Sequence, residues 1–196
     1  MNLANKLTLL RIILVPLFLI CMIRDIVPYG VLIATIIFVV ASITDKLDGY
    51  IARSRNQITT FGKFMDPLAD KLLVTAALVT LTGMRIIPAW ISVIIIAREF
   101  AVSGLRAVAA SEGRVIAASN WGKLKTVFQM IALILLLIVA NVATTPWVAD
   151  LINSSTFLVN FFAYVPNITL YIAVIITIIS GIDYFVKNRS VINSDK

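Results

Sequence analysis

Long apolar runs alternate with short breaks marked by charge, proline or glycine along the whole chain, and this pattern decides what it can fold into. The runs fall near Leu9–Ile23, Tyr29–Arg53, Pro67–Met84, Ile87–Ala110, Trp121–Ala143 and Asn167–Val186. A hydrocarbon core about 30 Å thick needs about 20 apolar residues per helical crossing. Hydrophobic residues make up 60% of the 196 positions and the mean hydropathy is +0.99, against an apolar share of roughly 45–50% in soluble domains. The pattern predicts an all-α polytopic membrane protein with six transmembrane helices, residues 1–196 forming a single domain.

Between the last two runs, Pro146, Asp150, Asn153, Ser154 and Ser155 interrupt a segment that Trp147, Phe157, Phe161 and Phe162 keep apolar. An interfacial loop or short amphipathic helix is expected over 144–166. The first run follows Lys6 and Arg11 as a signal peptide's would, yet no A-x-A site comes after it, so it is expected to remain as an anchor. With six crossings, 15 of the 17 lysines and arginines fall on one side, leaving Arg24 and Arg85 on the other. Positive charge marks the cytoplasmic side, so both termini are expected there, in the cell membrane. The net charge of +7 suits an inner rim that meets anionic lipids or phosphorylated substrates. No internal repeat and no nucleic-acid motif is present.

Cysteine and histidine usage narrows the chemistry. The one cysteine, Cys21, excludes an intramolecular disulfide and a cysteine-based metal site. Histidine is absent, so the commonest general base and nitrogen ligand are missing. A metal would be held by oxygen, which favours hard cations such as Mg²⁺ or Mn²⁺.

Asp45, Asp48, Asp66 and Asp70 gather where the second run ends and the third begins. A charge inside a membrane costs roughly 2.5–3.5 kcal/mol on insertion scales, so four together call for a shared cation. At about 100° per residue, Asp45 and Asp48 share one helical face and Asp66 and Asp70 share another. Two helices joined by the polar stretch Ser54 to Thr60 can aim both pairs into one cavity. Crowded carboxylates hold protons unless cations neutralise them, and two divalent ions held this way clamp phosphoryl oxygens during displacement. Gly49, Ala52 and Gly62 remove bulk beside the aspartates, and Arg53 is placed to meet a phosphate or orient a carboxylate. The alternative is that the aspartates pair with Lys46, Arg53, Lys63 and Lys71 in a solvated loop.

Asp45, Asp48, Gly49, Ala52 and Arg53, then eight residues, then Gly62, Asp66 and Asp70 match D-x-x-D-G-x-x-A-R-x8-G-x-x-x-D-x-x-x-D at every fixed position. This resembles the CDP-alcohol phosphotransferase family, whose six-helix fold agrees with the runs above. The resemblance implies that the four aspartates hold two divalent cations, Mg²⁺ or Mn²⁺, bridging the CDP pyrophosphate of CDP-diacylglycerol. It makes Asp70 also the general base, and it sets Gly49, Ala52, Arg53 and Gly62 around the cytidine diphosphate. The opening Asn5 to Arg11 is similar to the family's N-terminal segment, which implies that Asn5, Thr8 and Arg11 reach the nucleotide.

A second cluster, Arg98, Arg106, Lys123 and Lys125, falls at the inner ends of the fourth and fifth runs. Fixed cations imply an anionic acceptor. Two alternatives stand beside this: the four only snorkel to the inner surface, or Arg98 pairs with Glu99. Arg98-Glu99-Phe100, Ser103 to Arg106 and Gly122 to Thr126 look like the branch comprising phosphatidylglycerophosphate synthases, which implies glycerol 3-phosphate as acceptor and phosphatidylglycerophosphate and CMP as products. Inositol phosphate, serine or phosphatidylglycerol as acceptor is the alternative within the family, and a divalent-cation transporter or a scaffold protein lies outside it. The resemblance also implies a homodimer.

Overall fold

The computed structural model describes residues 3–23, 26–54, 60–114, 116–117 and 119–189, with side chains for all of these except 3–8, 45–54, 60–67 and 70. Among them there are seven helices and no strand: α1 (Leu3–Met22), α2 (Gly30–Ser54), α3 (Thr60–Gly83), α4 (Ala89–Ser111), α5 (Asn120–Val142), α6 (Pro146–Asn153) and α7 (Thr156–Lys187). The protein is all-helical, as its apolar runs predict.

Cross-helix contacts fix the direction of each helix. Thr82, late in α3, meets Ser92, early in α4, hydroxyl to hydroxyl at 2.7 Å, while Lys71 donates to Ser103 in the second half of α4. These two helices therefore run antiparallel. Trp90 stacks near Tyr171 with centroids 6.4 Å apart, and further along Arg98 reaches Ser180 and Arg106 reaches Tyr184, so α4 and α7 run the same way. Asn141, at the end of α5, donates to Thr35, near the start of α2, at 2.8 Å. The first turns of α3 and α5 thus share one end of the bundle with the last turns of α2, α4 and α7.

Helix α5 is the central element, packed against α2, α3, α6 and α7. Its Leu133, Leu136, Leu137 and Ala140 are buried in a common core with Phe18, Phe38, Leu78, Leu81 and Leu170. The α1–α2 turn closes tightly, and a side chain at Gly30 would collide with the carbonyl oxygen of Cys21. The outer surface is the more telling. Leu10, Ile13, Leu17 and Ile20 on α1, Ile33, Ile36, Val40 and Ile43 on α2, and Ile168, Ile172, Ile175, Ile179 and Ile182 on α7 are all exposed. They recur at helical spacing on faces that a soluble helix fills with polar groups. Two helices, α5 and α7, are long and apolar enough to cross a membrane by length and composition, and shorter apolar helical stretches cover Leu9–Met22, Gly30–Thr44 and Lys71–Gly83. The apolar helices point to a membrane protein.

One expectation is corrected. The segment over 144–166 is only partly a short amphipathic helix: α6 buries Val148 and Ile152 and exposes Trp147 and Asp150, but the residues from Thr156 onward belong to α7. That helix has 32 residues and runs through Pro166, so at 1.5 Å per residue it spans about 48 Å. A proline removes one backbone hydrogen bond and ordinarily breaks a helix. Here Pro166 is buried and the helix continues on both sides of it.

Inside an apolar bundle, polar ties select which helices meet. Asn141 donates to both Thr35 and the carbonyl of Leu137 at 2.8 Å and is 2% exposed. Replacing Asn141 with leucine should destabilise the folded state by about 1 kcal/mol, in the range of interhelical hydrogen bonds in membranes. Unfolding in mixed micelles, followed by circular dichroism, would show an unchanged midpoint if this tie held nothing.

Candidate active site

Among the described residues, the second half of α4 carries a dense set of polar contacts. Glu99, Ser103 and Arg106 stand at i, i+4 and i+7 and so form one stripe. Ser103 donates back to the carbonyl of Glu99 at 2.8 Å and receives the ammonium of Lys71 from α3. Lys71 directly follows Asp70, so α3 is tied to α4 near its middle, just past the segment that carries Asp66 and Asp70 and beside the basic cluster.

Helix α5 begins with Ser119 as its N-cap, accepting the backbone N–H of Gly122 at 3.1 Å. The cap fixes the first turn and the direction of two lysines. Lys123 is exposed, whereas the side chain of Lys125 is 1% exposed and ion-paired with Glu99. Glu99 therefore finds its cation across the helix gap, and its neighbour Arg98 turns elsewhere, as consecutive helix positions diverge. One turn beyond Lys125, Gln129 is buried, and its side-chain oxygen has no hydrogen-bond partner among the described residues.

Arg98 occupies a slot that small residues leave open. Its guanidinium donates to Ser180 on α7. A Cβ on Gly122 would stand 3.5 Å from Arg98 Nη2, and one on Gly181 would stand 3.4 Å from Arg98 Cγ. Two helices thus approach the arginine with bare backbone on both sides. Arg106, a little over two turns further, is exposed and donates through Nε to the hydroxyl of Tyr184 at 2.8 Å. Tyr184 itself is buried beside Val102, Leu105 and Ala109.

The structure thus brings Arg98, Arg106, Lys123 and Lys125 to one end of the bundle but in unlike settings, two exposed or partly so and hydrogen-bonded to α7, one enclosed with a carboxylate, and one facing outward. The side chains of Asp45, Asp48, Asp66 and Asp70 lie outside the described residues, as do those of Asn5, Thr8, Gly49, Ala52, Arg53 and Gly62. Their backbones are helical, and α2 is unbroken across Asp45 and Asp48 while α3 is unbroken across Asp66 and Asp70. Each pair therefore lies on one face of its helix, and an all-carboxylate donor set fits hard divalent cations. Ser180, Gly181 and Tyr184 did not stand out in the sequence. Small residues on α7 are unremarkable there, and a tyrosine near the end of an apolar run reads as an interfacial anchor.

Residues 1–179 match the CDP-alcohol phosphatidyltransferase family. The chain is 45% identical to the CDP-diacylglycerol–glycerol-3-phosphate 3-phosphatidyltransferase of Bacillus subtilis (strain 168), over 95% of each chain. It is 37% identical to the protein of that name from Rickettsia bellii (strain RML369-C), over 94% of this chain and 93% of the other. A third of the same name, from Haemophilus influenzae (strain ATCC 51907 / DSM 11121 / KW20 / Rd), is 41% identical over 93% and 91%.

The ion pair between Glu99 and Lys125 should be energetically coupled. Glu99→Gln and Lys125→Met should each lower stability, the first by about 1.5–3 kcal/mol, the range for a hydrogen bond to a charged group. Their double variant should lose less than the sum of the two, with a coupling of about 0.5–3 kcal/mol. Thermal unfolding of the four proteins in detergent measures it, and strict additivity would mean that the pair contributes nothing.

Proposed function

The chain belongs to the CDP-alcohol phosphatidyltransferase family, and on that premise we propose that it transfers the phosphatidyl group of CDP-diacylglycerol to glycerol 3-phosphate, giving phosphatidylglycerophosphate and CMP. What supports this reading is that the helix segments carrying the aspartates and the side chains of the basic cluster belong to one end of the bundle. The segments that carry the aspartates, in the second half of α2 and the first half of α3, lie toward the end at which α4 and α5 present Arg106 and Lys123. A pyrophosphate donor and an anionic acceptor need both.

In the proposed reaction the free primary hydroxyl of glycerol 3-phosphate attacks the phosphorus that bears the diacylglycerol. A new P–O bond forms, the bond to the bridging oxygen breaks, and CMP leaves with that oxygen. Asp70 accepts the hydroxyl proton; with no histidine in the chain, a carboxylate is the natural base. The family uses divalent cations, and Asp45, Asp48, Asp66 and Asp70 would hold two, Mg²⁺ or Mn²⁺, which when bound neutralise charge on the pyrophosphate. Gly49, Ala52, Arg53 and Gly62, with Asn5 and Thr8, would surround the nucleotide. Arg106 and Lys123 would grip the acceptor phosphate. Arg98 and Lys125 back them from the buried side, where each must share its present partner, Ser180 or Glu99, to reach an anion.

Six helices crossing the membrane, both termini and the site at the cytoplasmic face, and assembly as a homodimer complete the proposal. The exposed apolar stripes on α1, α2 and α7 support the crossings, and the gathering of basic residues at the end with the aspartates supports the orientation.

Purified protein given CDP-diacylglycerol, glycerol 3-phosphate and Mg²⁺ should release CMP, and excess chelator should stop the release. Arg106→Ala and Lys123→Ala should raise the KM for glycerol 3-phosphate about tenfold or more, since each removes a charge-assisted contact, while the KM for CDP-diacylglycerol stays within about twofold. Equal effects on both KM values would remove the acceptor assignment. Divalent-ion uptake into proteoliposomes lacking CDP-diacylglycerol would point instead to a transporter.

A further inference from the structure

We propose that Tyr184 is a positioning residue for the acceptor phosphate, acting through Arg106. The inference rests on the reading of Arg106 as an acceptor contact. Tyr184 comes from α7, is 2% exposed, and is wedged among Val102, Leu105 and Ala109 of α4. A tyrosine so enclosed has a fixed ring, so its hydroxyl is a fixed point at the edge of the bundle end. That hydroxyl accepts a hydrogen bond from Nε of Arg106 at 2.8 Å. The guanidinium carbon also stands over the ring, 5.5 Å from its centroid. The hydroxyl fixes the direction of Nε, and the ring lies beneath the guanidinium.

The choice of nitrogen matters. An arginine can present a phosphate with Nε and one terminal nitrogen, or with both terminal nitrogens. With Nε committed to Tyr184, the first fork is closed and the second is left, pointing away from the tyrosine. Arg106 is exposed, and an exposed arginine side chain ordinarily samples many rotamers whose freedom is lost on binding. Anchoring Nε to a buried hydroxyl removes part of that loss before the substrate arrives. Tyr184 therefore need not touch the substrate to affect it, and its effect should fall on acceptor binding rather than on the bond-making step.

The test is a double-mutant cycle on steady-state kinetics with the full chain in detergent. Tyr184→Phe keeps the ring and its packing and removes only the hydroxyl. It should raise the KM for glycerol 3-phosphate about tenfold, with kcat and the KM for CDP-diacylglycerol within about twofold, and with the unfolding midpoint nearly unchanged. In an Arg106→Ala background the same substitution should do nothing further, because its effect runs through the arginine. If Arg106→Ala raises that KM and Tyr184→Phe does not, the positioning role is overturned while the acceptor site stands. An equal rise from Tyr184→Phe in both backgrounds would also overturn it, since the tyrosine would then act independently. If Arg106→Ala leaves the KM unchanged, the acceptor assignment itself falls, and this inference with it.

Discussion

Helix α4 is held to each of its neighbours along its second half by a polar contact, and the arrangement of the basic cluster depends on those ties. Lys71 of α3 reaches Ser103, Lys125 of α5 reaches Glu99, and Ser180 and Tyr184 of α7 receive Arg98 and Arg106. Apolar packing in a bilayer is weakly selective, because lipid tails are as apolar as leucine. A buried ammonium or guanidinium, by contrast, is costly unless it meets one particular partner. The apolar core holds the helices together, and these polar contacts fix their register and rotation at the end where chemistry would take place.

The same contacts explain why the acidic and basic groups share an end. Antiparallel neighbours alternate direction, so the last turns of α2 and α4 and the first turns of α3 and α5 have no choice but to coincide. A chain that concentrates carboxylates at one junction and cations at the next-but-one therefore carries both on helix segments of the same end. The other end is built from neutral ties, Thr82 to Ser92 and Thr35 to Asn141.

Much of this was legible from apolar runs alone, because a helix in a bilayer must satisfy its own backbone and so announces itself by length. What failed to show was informative. The first turns of α7 were hidden because Pro146, Asp150, Asn153, Ser154 and Ser155 set the whole stretch up to Pro166 apart as an interruption, whereas a long apolar helix carries a proline when its surroundings absorb the lost bond. Glu99 plainly needed a cation, yet its partner could not be read from adjacency: Arg98 is its neighbour in sequence and Lys125 its neighbour in space. Tyr184 was invisible for a related reason, since burial and the identity of its hydrogen-bonded partner are properties of two helices at once. The signature of aspartates, glycine and alanine was legible in full, and their side chains lie outside the described residues.

Burial sorts the basic cluster into two kinds of charge. Lys125 is enclosed with a carboxylate, so the pair adds little net field, and its contribution is to hold α5 against α4. Arg106 and Lys123 are exposed, where water screens them until something excludes it. A phosphate arriving between them would displace that water and strengthen every contact it makes. The enclosed charges are thus matched inside the protein and the exposed ones are left for an anion to match, which is the division of labour expected where a water-soluble, doubly charged acceptor must meet a lipid-bound donor at the rim of a membrane.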